Sequence, residues 1–247
     1  INEAVAAWVR FFQTDGRWYF ERWLARAGRY EGLMRDILAR EGLPGDLVYL
    51  AMIESGLSPY AWSRARASGP WQFIASTGRL YGLRSDFWVD QRRDPVRSTV
   101  AAARHLKDLF DRFGDWYLAW AAYNAGGGRV EQAIARDGTR DFWEMTDGSV
   151  LRPETKQYVP KLMAAALIAK HPDRFGFGHV VREPPLVYEE VLVPDAADLG
   201  VIARAAGVSE AAVRALNPEL RRWFTPPGGY RIRLPPGAGK KFLAEYA

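Results

Sequence analysis

The stretch IESGLSPYAWSRARASGPWQFIASTGRLYGL, residues 53–83, decides how this chain is interpreted. It begins at the end of an apolar segment that starts near Pro44 and Asp46 and predicts a helix. Gly56 suits the left-handed conformation in which helices end. Glu54 is therefore expected in the last turn of this helix.

A loop is predicted after the helix, because residues 57–69 show no apolar period and are rich in Ser, Pro, Arg and Gly. A further helix is expected to begin near Trp71.

Glu54 is the only carboxylate between Asp46 and Asp86. A carboxyl group with apolar neighbours has a raised pKa and is suited to proton transfer. On residue physics alone, a glutamate at a helix end is more often a solvated residue.

The rest of the sequence predicts a mainly α chain. Aromatic helical segments run from residue 1 to about residue 40, with faces that pack on a core. Periodic segments predict helices from Pro95 to Gly114, where Asp115 caps the next one. More helices are expected over residues 130–135 and 153–170.

The pattern changes near residues 176–186, where prolines interrupt the helical periodicity and a domain boundary is expected. A short strand over 187–193, helices over 197–206 and 210–216, and a strand in YRIRLP follow in the order β-α-α-β. The predicted domains are residues 1–180, with a helical extension over about 1–40, and residues 186–247.

Composition excludes several classes of protein. The net charge is +5 and the pI about 9.5, yet acidic and basic residues are interspersed, unlike a nucleic-acid-binding tail. The chain contains no cysteine, and His105, His171 and His179 are far apart in sequence. No metal site and no cofactor are therefore expected.

Three segments together carry a family resemblance: residues 53–83, AWAAYNAGGGRV over 119–130, and RPETKQYVPKLMAAALI over 152–168. In this order and at these distances they resemble lytic transglycosylases with the soluble-transglycosylase type of catalytic domain, most of all the membrane-bound D type. The resemblance implies a lysozyme-like all-helical catalytic domain. It implies that the substrate is the glycan strand of peptidoglycan.

The resemblance also assigns roles to single residues. Glu54, followed by Ser55, corresponds to the family's catalytic acid and base. The residues that correspond to substrate-binding positions of the family are Ser63, Gln72, Tyr123, Asn124 and Tyr158. Trp62 and Trp71 are further candidates for stacking on sugar rings. Four of these residues also have an ordinary structural interpretation: Tyr123 and Tyr158 lie on apolar helix faces, Asn124 precedes a glycine run, and Ser63 lies in a loop. Glu154 is expected only to cap the start of its helix.

In this family one glutamate protonates the bond between N-acetylmuramic acid and N-acetylglucosamine, then accepts a proton from the C6 hydroxyl, giving a 1,6-anhydromuramoyl end. A goose-type lysozyme-like hydrolase, with the same fold and a comparable glutamate, is the alternative enzyme. A non-catalytic peptidoglycan-binding scaffold is the alternative of another class. The sequence differs from the family pattern at Arg66, Pro70 and Ala75, which concerns the shape of the cleft.

The C-terminal module resembles a LysM domain, on the pieces DLGVIARAAGVSEAAVRALNPEL and GGYRIRLPPG. It either binds glycan or braces the catalytic domain. The resemblance implies a monomer in the periplasm of a Gram-negative bacterium, associated with the outer membrane through a segment outside this chain. A first residue other than Met agrees with the removal of such a segment.

Overall fold

A computed structural model describes residues 2–246. The part before residue 171 is built from helices that surround a large apolar core. The nine helices described in it are α1 (Glu3–Gln13), α2 (Arg17–Arg40), α3 (Val48–Ser55), α4 (Ala75–Leu80), α5 (Pro95–Phe113), α6 (Trp116–Ala125), α7 (Gly127–Asp137), α8 (Phe142–Met145) and α9 (Pro153–Lys170). Short 3₁₀ turns lie at Gly45–Leu47, Gln91–Arg93 and Pro172–Phe175.

The helix that carries Glu54 is α3. Its first six residues are all buried, so core packing on every side holds this short helix in place. Gly56 ends it with φ 61°, as predicted, and a Cβ at Gly56 would lie 2.1 Å from the Trp23 ring. Glycine is thus required there both by backbone conformation and by space. The end of α3 and its glutamate are fixed against α2.

The aromatic N-terminal residues form core, as the sequence predicted. Phe12 of α1 and Phe20 of α2 are fully buried, with ring centroids 4.5 Å apart. Trp23 packs on both rings. Helix α1 also packs along α9. The first two helices therefore support the two elements, α3 and α9, that meet at the site.

The prediction of a helix beginning near Trp71 is wrong by four residues, because α4 begins at Ala75. Gln72 has a φ of 51°, outside the helical region, and Ile74 is extended. Trp71 is fully buried, and its indole donates a hydrogen bond to Thr99 of α5 at 2.9 Å. This buried anchor overrides the local helical preference of the segment.

One buried guanidinium organises the loop between α3 and α4. Arg92 donates hydrogen bonds to the carbonyl groups of Arg66 and Phe73, at 2.9 and 3.0 Å. It also forms a two-bond pair with Asp90 at 2.8 and 2.7 Å. The loop is therefore ordered without regular secondary structure, and its shape depends on Arg92.

The helix end predicted at Gly114 and the cap predicted at Asp115 are confirmed. Asp94 accepts hydrogen bonds from the first backbone amides of α5, which ends at Gly114 with φ 67°. Asp115 accepts from the Leu118 amide and caps α6. The helix expected over 130–135 is longer, since α7 begins directly after Gly126.

The C-terminal module has the predicted β-α-α-β order. Its elements are β1 (Glu189–Val193), α10 (Leu199–Ala206), α11 (Glu210–Leu216) and β2 (Tyr230–Leu234), with β1 and β2 antiparallel. A last helix, α12 (Ala238–Glu245), was not predicted. It buries Phe242, which packs in the core of the module.

Polar and backbone contacts join the module to the segment before α5. The Arg233 guanidinium of β2 donates to the Asp94 carboxylate at 2.8 Å, and both side chains are buried. The Asp90 amide donates to the Glu219 carbonyl at 2.8 Å. Asp94 therefore caps α5 and binds the module.

Within residues 2–246, no helix combines the length and apolar character that crossing a lipid bilayer requires.

Candidate active site

A cleft of about 730 Å³ opens between the α3–α4 loop and the helices α5 and α6. Its lining contains five of the six residues singled out from the sequence: Glu54, Ser63, Gln72, Tyr123 and Asn124. The sixth, Tyr158, lies directly behind the glutamate, where its hydroxyl donates a hydrogen bond to Glu54 Oε1 at 2.5 Å. Segments far apart in sequence therefore meet at one carboxyl group.

Glu54 lies where the cleft meets the core. Burial raises the pKa of its carboxyl to about 7, and this effect outweighs the hydrogen bond from Tyr158 and the charge of Lys161, which both lower the pKa. The charge of Glu154 raises it slightly further. At neutral pH both forms of Glu54 are populated. The group is therefore able to donate a proton and to accept one.

Two tyrosines surround the carboxyl group. Tyr158 is buried on α9, and Tyr123 on α6 donates a hydrogen bond to the Trp71 carbonyl at 2.8 Å. Burial raises the pKa of both phenols well above the usual value, and the nearby charge of Glu54 adds to this. Both hydroxyl groups are therefore protonated at neutral pH and able to donate a hydrogen bond.

Ser63 and Gln72 each make local hydrogen bonds in the loop. The Ser63 hydroxyl accepts from the Ala67 amide at 3.1 Å. The Gln72 side-chain amide donates to the Gly69 carbonyl at 2.8 Å. The Ser63 bond is the ordinary loop contact considered from the sequence, and the two bonds together fix both side chains at the wall of the cleft.

A second carboxylate lines the cleft, which sequence reasoning did not propose. Glu154, considered only as a helix cap, accepts a hydrogen bond from the Asn124 amide at 3.4 Å. The Asn124 carbonyl oxygen in turn accepts from the Thr155 hydroxyl at 2.8 Å. The first turn of α9 thereby orients Asn124.

Lys161 is the other residue that sequence reasoning missed. Its ammonium donates to the Ile53 carbonyl at 3.3 Å and lies 5.5 Å from the Trp8 ring centroid. Burial lowers the pKa of Lys161, while Glu54 and Glu154 oppose that change. The sequence did contain a pattern that could have identified Glu154 and Lys161. Positions 154, 158 and 161 recur at helical spacing, so both residues share one face of α9 with Tyr158.

The two tryptophans considered for stacking on sugar rings differ. Trp71 is fully buried and has no surface to offer a ligand, so that interpretation is wrong for it. Trp62 is 61% exposed at the rim of the loop. A stacking role remains open to Trp62 alone of the pair.

His105 lines the same cleft, and its Nδ1 lies 2.9 Å from the Tyr81 hydroxyl. Burial lowers the pKa of this imidazole to about 4, so the ring is neutral at physiological pH. Among residues 2–246 no group of three or more His, Cys, Asp or Glu side chains is placed to hold a metal ion.

Comparison with known proteins assigns the class of each part. Residues 35–146 match the family described as Transglycosylase SLT domain. Residues 187–247 match the family described as Lytic transglycosylase MltD, LysM-like domain. The chain thus carries a transglycosylase-type helical domain followed by a LysM-like module.

Relatives of known name agree with these matches. Membrane-bound lytic murein transglycosylase D of Escherichia coli strain K12 is 38% identical over 197 residues, which are 78% of this chain and 43% of that protein. A putative tributyltin chloride resistance protein of Alteromonas sp. strain M-1 is 38% identical over 112 residues, 45% of this chain and 54% of that protein.

Among solved structures, the 70 kDa soluble lytic transglycosylase of E. coli is 25% identical and covers 59% of this chain and 25% of its own, with a TM-score of 0.47. The chain therefore combines a Transglycosylase SLT domain with a LysM-like domain of the lytic transglycosylase MltD type. It spans 43% of the length of the E. coli D-type relative.

Proposed function

We propose that this chain is a peptidoglycan lytic transglycosylase with Glu54 as its catalytic acid and then base. It cleaves the β-1,4 bond between N-acetylmuramic acid and N-acetylglucosamine and forms 1,6-anhydromuramoyl ends. The observation that supports this most is the carboxyl group of Glu54, whose pKa of about 7 combines with a position in an open cleft.

In the first half of the reaction, protonated Glu54 donates its proton to the glycosidic oxygen. The developing positive charge at C1 is stabilised by the acetamido group of the substrate itself, so no second carboxylate is needed there. The Tyr158 hydrogen bond to Oε1 holds the carboxyl group in one orientation. It leaves Oε2 for the leaving oxygen.

In the second half, ionised Glu54 accepts the proton of the C6 hydroxyl, whose oxygen bonds to C1. The atoms balance without water. The proton that Glu54 takes from the C6 hydroxyl replaces the proton that Glu54 gave to the leaving sugar. Tyr158 and the cation of Lys161 both lower the pKa of Glu54 and so stabilise the ionised state between the two steps.

The cleft wall provides groups that suit an amino sugar polymer. We assign substrate contacts to Ser63, Gln72, Tyr123 and Asn124, whose hydroxyl and amide groups match acetamido and ring hydroxyl groups. Tyr158 contributes through Glu54. Exposed Trp62 offers an aromatic face at the rim for the apolar side of a pyranose ring.

We further propose that residues 1–180 form the catalytic domain, with its helical extension over about 1–40, and that residues 186–247 form the LysM-like module. The expected partner is the glycan strand, bound by a monomer in the periplasm of a Gram-negative cell. Support for an envelope location, and for attachment through a segment outside this chain, comes from a relative named membrane-bound murein transglycosylase in E. coli.

The test is digestion of purified sacculi followed by mass spectrometry of the soluble fragments. Wild-type protein should release fragments with anhydro ends, which are one water lighter than hydrolysis products. Glu54→Gln should abolish release, while Glu183→Gln, a change at an exposed position, should leave it unchanged. Sacculus binding without any release from the wild type would instead identify a scaffold.

A goose-type lysozyme-like hydrolase is the second candidate, and one observation favours it. Glu154 places a second carboxylate in the cleft, where a general base of an inverting hydrolase would activate water. Fragments of the hydrated mass from wild-type protein would identify this activity. The same digestion therefore separates the two reactions.

A further inference from the structure

A groove lies where the α3–α4 loop meets the C-terminal module. It consists of two adjoining hollows of about 400 and 300 Å³ that share Tyr60, Arg93 and Arg221. We call it the junction groove. Tyr60 and Arg93 come from the helical part, and Arg221 from the module, so neither part forms the groove alone.

The junction groove is strongly basic. Four guanidinium groups line it, those of Arg92, Arg93, Arg214 and Arg221, against the single carboxylate of Asp90. Asp90 is fully engaged by Arg92 in the buried two-bond pair. Three positive charges therefore face the groove without a carboxylate of their own lining it.

These three arginines have few partners within residues 2–246. The Arg93 side chain donates no hydrogen bond there, and its Nε is buried without an acceptor. Arg214 Nε is also buried without an acceptor, and its nearest carboxylate, Glu210, lies 3.8 Å away. Arg221 donates to the Asp86 carbonyl.

The nearby acid Glu219 forms no hydrogen bond with Arg93, Arg214 or Arg221. Its carboxylate accepts from the Tyr230 hydroxyl at 3.1 Å and lies beside Arg233 in the interior of the module. Burial lowers the pKa of Arg93 and outweighs the charges of Tyr60, Asp90 and Glu219, which raise it. Burying a guanidinium without a hydrogen-bonded anion costs free energy, so this arrangement fits a site that an external anion completes.

Aromatic rings hold the guanidinium planes. Arg93 lies 4.9 Å from the Tyr60 ring centroid, and Arg214 lies 3.3 Å from that of Trp223. A stacked guanidinium keeps its N–H edge for a ligand, and two N–H groups match the two oxygens of a carboxylate. The rings also restrict side-chain motion, which reduces the entropy lost on binding.

The junction groove and the cleft that contains Glu54 border the same segment of the α3–α4 loop. Trp62 lines the smaller hollow, and the next residue, Ser63, lines the cleft. To reach the groove, a group attached to a sugar in the cleft has to pass the edge of the loop at Trp62 and Ser63. In peptidoglycan, the groups attached to the muramic sugars are short peptides with free carboxylates.

We propose that the junction groove binds the carboxylates of the acidic peptide carried by the glycan strand. The inference rests on the proposed function for the identity of the polymer. It gives the C-terminal module a role in recognition that does not depend on binding the sugar chain: the module completes an anion site whose other half belongs to the catalytic loop.

The experiment uses the full chain with Glu54→Gln, so that no substrate is consumed. The probes are the free peptidoglycan tetrapeptide with its carboxylates and the same peptide with every carboxylate amidated. Binding is followed by NMR through the indole N–H signals of Trp62 and Trp223. We expect the acidic peptide to bind and the amidated peptide not to bind.

Charge variants then locate the site. Arg93→Gln with Arg221→Gln should weaken binding of the acidic peptide about tenfold or more. The matched control pair is Arg204→Gln with Arg231→Gln, which removes the same charge at exposed positions outside the groove and should change binding less than twofold. Thermal unfolding of each variant checks the fold. If the first pair is unstable, Arg93→Gln alone replaces it, because that side chain makes no hydrogen bond in the fold.

Equal binding of the amidated peptide, equal weakening by both pairs, or no binding of the acidic peptide would each overturn the inference. Digestion of sacculi by the wild type runs in parallel. Anhydro products without peptide binding reject the junction groove and leave the proposed activity standing. Peptide binding without anhydro products supports the junction groove and rejects the proposed activity.

Discussion

The Tyr158 hydroxyl lies 2.5 Å from Glu54 Oε1, although 104 positions separate the two residues in sequence. The contact joins the last turn of α3 to the first half of α9. It fixes the orientation of the carboxyl group and, by donating to it, stabilises its ionised form. The acid strength of Glu54 thus depends on how two helices pack.

Removing that hydroxyl gives the first prediction. In Tyr158→Phe the ionised form of Glu54 loses a donor, so the pKa of Glu54 rises above about 7, by about one unit. Activity that needs the protonated carboxyl should then fall at higher pH than in the wild type. The pH profile of kcat/KM for release of anhydro fragments measures this. Tyr117→Phe, outside the cleft, is the control, and an unmoved alkaline limb in Tyr158→Phe would contradict the prediction.

The positive charge of Lys161 also shifts the protonation equilibrium of Glu54. Lys161→Met keeps the length of the side chain and its contact with Trp8 but removes the positive charge that lowers the pKa of Glu54. The alkaline limb should again move to higher pH, and Lys161→Arg should move it less. Lys170→Met, which removes a surface cation paired with Asp46, should have no such effect. A drop in activity with an unchanged pH profile would show that Lys161 is only a packing residue.

Much of the fold follows from local signals in the sequence. Gly56, Gly114 and Asp115 end or begin helices where the sequence predicts, because each supplies a backbone conformation or a cap that few other residues supply. Glu54 was placed correctly in the last turn of α3 for the same reason.

Long-range packing accounts for what the sequence did not show. Trp71 is anchored on Thr99, and this contact displaces the expected helix start. The approach of Glu154 to the cleft depends on the packing of α9 against α6, although its spacing from Tyr158 was visible. The basic junction groove could not be read locally either, since Arg93 and Arg221 are far apart in sequence and meet only because the module docks.

The docking of the module depends on Arg233. In Arg233→Met the Asp94 carboxylate loses its buried cation, as does Glu219, whose pKa burial already raises to about 7. We expect a loss of about 3–5 kcal/mol in the free energy of unfolding at pH 8. The loss should be smaller at pH 5, where protonated Glu219 needs no cation. Urea unfolding at both pH values measures it. Arg231→Met on the exposed side of the same strand should change stability by less than about 0.5 kcal/mol, and an equal loss there would refute the role of the buried pair.

The second carboxylate of the cleft can be tested separately from the first. Glu154→Gln keeps a group that Asn124 can contact but removes the charge. If Glu54 alone serves as acid and base, the variant should still form anhydro ends, with kcat/KM reduced less than about tenfold. If Glu154 activates water, hydrated products should disappear from the mixture. Mass spectrometry of the fragments distinguishes these outcomes.

The raised pKa of Glu54 also predicts how stability depends on pH. The folded pKa of about 7 exceeds the ordinary value of 4.5, so the stability that this group contributes is fully present below pH 4.5 and is lost as pH rises through 7. Glu54→Gln removes this loss and retains an acceptor for Tyr158, while Lys161 loses a nearby carboxylate. The variant should therefore exceed the wild type by about 1–3 kcal/mol at pH 8 and match it at pH 4. Urea unfolding at the two pH values, with Glu183→Gln as the surface control, measures the difference; an equal effect at both would mean that the carboxyl has an ordinary pKa.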